Sequence, residues 1–152
     1  MKVGTDGVLL GAWCSVNDFP DSILDIGAGS GVIALMLAQR SDAMTIDAIE
    51  VDENAYEQTV ENFELSDWGD RLYAYHATFQ EFASEIAADE ETYDLIVSNP
   101  PFYTAGFETE NSARNKARST SFLSFEELVE GVVNIISKNG KFVVILPFLE
   151  ER

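Results

Sequence analysis

Cysteine is all but absent. Cys14 stands alone, which excludes an internal disulfide and any cysteine-rich metal site and suits a reducing cytoplasm. Histidine is as scarce: His76 has no partner at metal-ligand or triad spacing and reads as a strand-end residue. No apolar run approaches the ~18 residues that a membrane span needs, and no signal-peptide pattern is present. A cytoplasmic protein without a membrane partner is therefore expected. Basic residues are also in short supply, with 9 Lys and Arg against 27 Asp and Glu and a formal charge of −18. Such a chain repels nucleic acid at long range, because phosphate binding draws on Lys and Arg. The few cations are unevenly placed, since Arg114, Lys116 and Arg118 fall together in "SARNKARS". Taken alone, that cluster is a solvated loop.

What is present is ordinary globular material. The 152 residues are 46% hydrophobic and 24% charged, enough for one domain, residues 1–152, with a sizeable core. "SILDIG" (22–27) is a short apolar run ending in glycine, and "GVIALMLAQR" (31–40) follows at helical periodicity. "TIDAIEVD" (45–52) is strand-like. "ENAYEQTVENFE" (53–64) is read as a helix with Tyr56, Val60 and Phe63 on its apolar face and Glu53, Glu57, Glu61 and Glu64 in solvent. "RLYAYHA" (71–77), "FQEFASEIAA" (79–88) and "YDLIVS" (93–98) continue as strand, helix and strand. "SFEELVEGVVNIIS" (124–137) opens with a capping-box pattern, Ser124 and Glu127, is broken by "KNG", and leads to a last strand "KFVVILPF" (141–148). This alternation predicts an α/β fold with a parallel sheet covered by helices on both faces. From Tyr103 to about Leu123 no apolar periodicity is found, and so long a loop inside a compact domain is usually functional. Cys14 reads as a small buried side chain. Trp13, Trp68 and the helix from Phe125 read as core or core edge.

"LDIGAGSG" (24–31) lies between the first strand and first helix, where open α/β sheets bind ligands. Gly27, Gly29 and Gly31 permit sharp turning and close backbone approach, and the helix N-terminus offers free N–H groups. The spacing is G-x-G-x-G, not that of dinucleotide enzymes. At the end of the second strand, Glu50 can accept hydrogen bonds from both ribose hydroxyls of an adenosine ligand, while Asp52 caps the next helix. Asp25, inside the first strand, would be wasted in a sheet core and can face an ammonium group. "NPPF" (99–102) ends the strand "YDLIVS" on a rigid ledge: neither Pro100 nor Pro101 has an N–H, and each stiffens the residue before it.

D-x-G-x-G-x-G followed by a strand ending in an acid resembles the S-adenosylmethionine-dependent methyltransferases. NPPF narrows the resemblance to those that methylate an amino nitrogen conjugated with a π system. "MKVGTDGVLLGAW" (1–13) is similar to the segment ahead of the first strand in bacterial tRNA adenine-N6 methyltransferases, those modifying the adenine beside the anticodon of a valine tRNA. The resemblance runs over essentially the whole chain, with the "KAR" of the long loop as a further anchor. It implies a doubly wound, Rossmann-like methyltransferase core with parallel strands ordered 3-2-1-4-5 and lacking the usual last two strands. Relatives carry a short basic segment before MKVGTDG and two more strands after the fifth, so an excised core or a short member is expected.

The resemblance also implies S-adenosylmethionine as cofactor, S-adenosylhomocysteine as product, and no metal. Glu50 would hold the ribose, and Asp25, Gly27, Gly29 and Gly31 the methionine moiety. Thr5 and Asp6 would lie over the methionine end, although Asp6 equally suits a cap of the helix "GVLLGAW". Thr78 stands where relatives usually carry an aspartate for the adenine amine, as a weaker neutral acceptor. Asn99 would border the cofactor, and its side-chain oxygen and the Pro100 carbonyl would accept the two N6 hydrogens of the target adenine, with Pro101 fixing the ledge and Phe102 stacking on the base. Arg114, Lys116 and Arg118 would meet substrate tRNA, and no stable protein partner is implied. Two other readings compete: methylation of glutamine in release factors, whose enzymes share an NPP-aromatic ledge, and a methyltransferase-like binding module without turnover.

Overall fold

Buried on both faces, short runs of Ile, Leu and Val have no stable place except the middle of a covered sheet, and they assemble accordingly. The computed structural model describes residues 5–99 and 123–145, the side chains of residues 5–7 and 9 excepted. The elements are α1 (Thr5–Trp13), β1 (Ser22–Ile26), α2 (Val32–Arg40), β2 (Thr45–Glu50), α3 (Glu53–Leu65), a 3-10 turn (Gly69–Arg71), β3 (Leu72–His76), α4 (Phe79–Ala88), β4 (Tyr93–Ser98), α5 (Phe125–Ile135) and β5 (Ile136–Val144). The five strands form one sheet in the order β3-β2-β1-β4-β5, and every pairing is parallel. That is the order expected of a doubly wound sheet, with the switch point between β1 and β4.

Each face has its own core. Leu10 of α1 and Cys14 just after it, Ile33 and Leu37 of α2 and Phe63 of α3 close on Ile23, Ile46, Leu95 and Val97. On the other face, Phe79 and Phe82 of α4 and Leu128, Val132 and Ile135 of α5 close on Leu24, Ile26, Ile49 and Ile96. Each fully buried Leu, Ile or Phe contributes roughly 1.5–3 kcal/mol. The capping box of α5 forms as the sequence predicts, Ser124 and Glu127 each accepting the other's backbone N–H.

Four expectations change. Helix α5 stops at Ile135, and Ile136 is already extended and paired with Tyr93. The sequence reading carried the helix to Ser137 because two adjacent isoleucines satisfy either periodicity. The register then breaks, resuming at Leu95↔Lys141, so the "KNG" segment is an irregularity inside β5 and not the break before it. Trp13 is 77% exposed, since Leu10, Gly11 and Cys14 turn towards the core and α2 and leave it on the flank. On α3 the glutamates are exposed as expected, but the buried stripe is Ala55, Thr59 and Phe63, with Tyr56 and Val60 only half-buried. Asp6 lies within the first turn of α1, not ahead of it as a cap would. The long loop lies outside the described residues.

Candidate active site

The carboxyl ends of β1, β2 and β4 bring the polar residues together. After Ile26 the chain turns through Gly27 (φ 72), Gly29 (φ 60) and Gly31 (φ 86), conformations that other residues adopt only at a cost. The N–H groups of Gly27 and Ala28 both donate to Ile49 O at 3.0 Å, tying the turn to the end of β2. A Cβ on Gly31 would meet the Phe63 ring at 2.9 Å, so this glycine lets α2 approach α3; a Cβ on Gly27 would meet nothing within 4 Å. The open side of Gly27 is therefore space that a ligand can use. Gly31 caps α2 without a side-chain hydrogen bond, leaving the positive end of the helix dipole to a bound anion.

Glu50 faces this turn. Its Oε1 accepts the Gly29 N–H at 2.7 Å and its Oε2 the Asp52 N–H at 3.0 Å. Each oxygen keeps a further lone pair, so two hydroxyls can still be accepted. Asp52 caps α3 as expected, accepting the Ala55 N–H at 2.8 Å. His76 pairs with Glu50 in the β2–β3 register. Its Nε2 lies 3.0 Å from Val51 O, and its ring stacks on Tyr56 with centroids 5.2 Å apart. It ends β3 as read from sequence, and it also braces the bend that follows Glu50. Thr78 caps α4, accepting the Glu81 N–H at 3.2 Å, and its hydroxyl retains a second acceptor site.

Asp25 is fully buried in β1, flanked by Ala48 and Val97. Neither carboxyl oxygen has a well-formed hydrogen bond among the described residues, and the Ala34 backbone N–H is close enough only to favour the anion weakly against burial. Burial, the largest influence, pushes its carboxyl up to about 7; the Ala34 N–H opposes this and the Glu50 charge adds to it. A buried acid with both oxygens unpaired is costly, and a cationic ligand group is what would offset the cost.

Ser98 Oγ donates to Ile26 O at 3.1 Å, locking the ends of β4 and β1 together. Asn99 follows, half-buried, next to the strand end that leads into Gly27. The structure thus gathers Asp25, the three glycines, Glu50 and Asn99 at the carboxyl ends of the three central strands. Pro100, Pro101, Phe102, Arg114, Lys116 and Arg118 lie outside the described residues, as do the side chains of Thr5 and Asp6. Sequence reasoning missed Thr59 and Asn62, whose side chains donate to Gly29 O at 2.5 Å and Ser30 O at 2.8 Å. The available signal was a threonine on the buried stripe of an otherwise solvated helix. Among the described residues no cluster of His, Cys, Asp and Glu could hold a metal ion, and no helix is long and apolar enough to cross a membrane.

The chain is 62% identical over 152 residues to a tRNA1(Val) (adenine(37)-N6)-methyltransferase of Christiangramia forsetii, covering 100% of this chain and 63% of that protein. It is 48% identical over 147 residues to a protein of the same name from Bacteroides fragilis, covering 97% of this chain and 60% of the relative. The chain therefore spans less than two thirds of the length of these relatives. Among solved structures, a SAM-dependent methyltransferase from Agrobacterium tumefaciens superposes with a TM-score of 0.71 at 17% identity, covering 93% of this chain and 44% of that one. A methyltransferase complexed with SAH superposes with a TM-score of 0.58 at 15% identity, covering 81% and 30%. The family model of the methyltransferase small domain matches residues 9–146, and the chain belongs to that family.

Proposed function

We propose that residues 1–152 are the catalytic core of a cytoplasmic, S-adenosylmethionine-dependent methyltransferase that methylates the N6 amine of an adenine in tRNA. The observation that carries the reading is the meeting of an unpaired buried Asp25, an open Gly27 and Asn99 at neighbouring strand ends. The likeness to the tRNA1(Val) methyltransferases supports the choice of substrate. The residues fit the cofactor: Asp25 supplies a counter-charge for its ammonium group, the turn before α2 supplies N–H donors for its carboxylate, and Glu50 retains acceptors for its ribose hydroxyls. When bound, S-adenosylmethionine would supply its sulfonium methyl group, the S–C bond breaking as the N–C bond forms, with neutral S-adenosylhomocysteine as leaving group and one amine proton released.

The remaining chemistry falls to the chain. An adenine amino lone pair is delocalised into the ring and attacks poorly. The Asn99 side-chain oxygen and the Pro100 carbonyl accept its two hydrogens, which favours a pyramidal nitrogen with its lone pair free. Phe102 holds the base by stacking, a contact worth about 1–3 kcal/mol. Catalysis is then positioning and electrostatics. Arg114, Lys116 and Arg118 provide local phosphate contacts on a chain whose remaining charge repels RNA.

The test is methyl transfer to undermodified tRNA followed by nucleoside analysis. N6-methyladenosine is expected. Asn99→Ala should lower the rate by more than about tenfold, a barrier change above 1.4 kcal/mol, with S-adenosylhomocysteine affinity retained. Methylation of release-factor glutamine in place of tRNA, or full activity in the Asn99 variant, would overturn the reading.

A further inference from the structure

Helix α3 turns two polar side chains inward against the glycine turn. Thr59 is 1% exposed and sits between Ala55 and Phe63 on the buried stripe. Its Oγ1 donates to Gly29 O at 2.5 Å, and Asn62 Nδ2 donates to Ser30 O at 2.8 Å. From the other side, Glu50 Oε1 takes the Gly29 N–H at 2.7 Å. The peptide groups on both sides of Gly29, and the one after Ser30, are therefore each held by a different side chain. A glycine at φ 60 would not hold these orientations by itself.

The orientation has a chemical consequence. A trans peptide keeps its C=O and N–H on opposite sides. With the carbonyls of Gly29 and Ser30 turned towards α3, the N–H groups of Ser30 and Gly31 point away from it. The Gly31 N–H closes the turn on Ala28 O at 2.9 Å, and the Ser30 N–H faces away from α3 beside the N-terminus of α2. A turned-over Gly29–Ser30 peptide would put a carbonyl in place of that donor. The site would then repel the anion that the helix end attracts.

We propose that Thr59 and Asn62 are positioning residues: they fix the peptide orientations of the glycine turn and so set its affinity for the zwitterionic amino-acid end of S-adenosylmethionine and S-adenosylhomocysteine. The inference rests on the reading that this turn binds the cofactor. It assigns to α3 a part in ligand binding that contact with the ligand would not show. Valine at position 59 keeps the volume of threonine and leaves Gly29 O unpaired, whereas serine keeps the donor.

The experiment is calorimetric titration of the chain with S-adenosylhomocysteine, well below the melting temperature of each variant, with melting temperatures recorded alongside. Thr59→Val should lose at least about tenfold in affinity, while Thr59→Ser should stay within about threefold of the parent. Asn62→Ala should lose severalfold. Ser66→Ala, which removes a hydroxyl that donates to Phe63 O at 2.8 Å at the far end of α3, should lower the melting temperature and leave affinity unchanged. If Thr59→Val does not fold, Asn62→Ala decides. Variants of Thr59 and Asn62 that melt earlier but bind with parental affinity would overturn the proposal and leave the functional reading intact. A parent chain that does not bind S-adenosylhomocysteine would overturn both.

Discussion

Two aspartates are buried in adjacent strands of this sheet, and they live in opposite circumstances. Asp47, in β2, accepts a hydrogen bond from Tyr93 Oη at 2.6 Å. Burial pushes its carboxyl upward, the Tyr93 hydrogen bond opposes that, and Glu91 adds to it. Burial and the Asp47 charge push the Tyr93 phenol upward in turn, so it stays a donor. Asp25, one strand away, has no partner for either oxygen among the described residues and lies one residue before the strand end that enters the glycine turn. The protein gives one buried acid an internal donor for one of its two oxygens, Asp47 Oδ1 staying unpaired, and among the described residues gives the other acid none. The difference teaches that burial alone does not mark a functional acid; burial without an internal partner, at the ligand end of a sheet, does.

The largest expected effect separates the two by pH. The folded-state pKa of Asp25, about 7, lies above its ordinary 3.8, so the folded chain holds this proton more tightly than the unfolded chain. Stability from this group is fully present below about pH 4 and is lost as pH rises to about 7. Asp25→Asn removes that loss. The stability difference between variant and parent should grow in favour of the variant by on the order of 4 kcal/mol between pH 4 and pH 8. Urea unfolding across that range measures it, and parallel pH curves for variant and parent would show that Asp25 is not held protonated.

A smaller effect tests the other side. Tyr93→Phe deletes the one hydroxyl among the described residues that donates to Asp47, at a cost of about 1–3 kcal/mol. The loss should be greatest where Asp47 is ionised, hence larger at high pH. Affinity for S-adenosylhomocysteine should not change. A variant with parental stability would mean that Asp47 finds another donor, and the contrast with Asp25 would collapse.

How much of this was legible in the sequence follows the same divide. The covered parallel sheet could be read because runs such as "SILDI" and "YDLIVS" fit its interior, and the glycine turn because positive φ at Gly27, Gly29 and Gly31 leaves a compositional mark, whereas the strand order and the gathering of Glu50, the glycines and Asn99 came from the resemblance to methyltransferases. Asp25 was legible because charge inside an apolar strand is conspicuous. The α5–β5 boundary was not, since Ile135 and Ile136 are equally at home in helix and strand. Nor was the inward turn of Thr59 and Asn62: on a helix studded with exposed glutamates, a polar side chain reads as solvent-facing until its partner carbonyls are seen. The partnership of Tyr93 with Asp47 was hidden for a related reason, because it spans 46 residues and leaves no local pattern.

The smallest effect joins the comparison to ligand binding. In the free chain burial pushes the Asp25 carboxyl up to about 7. A ligand ammonium placed against it favours the anion, so binding should draw the carboxyl downward and release a proton. At pH 6 only about a tenth of the molecules carry the anion, against about nine tenths at pH 8, so affinity for S-adenosylhomocysteine should fall about tenfold, or 1.4 kcal/mol, across that interval on acidification. Titrations in buffers of different ionisation enthalpy should register the released proton near neutral pH. Asp25→Asn should bind more weakly at pH 8 and lose this component of the pH dependence, which also cancels any titration of the ligand itself. Asp47→Asn should keep the parental profile, because Asp47 answers to Tyr93 and not to the ligand. If the Asp47 variant flattened the profile and the Asp25 variant did not, the two aspartates would have to exchange the roles given to them here.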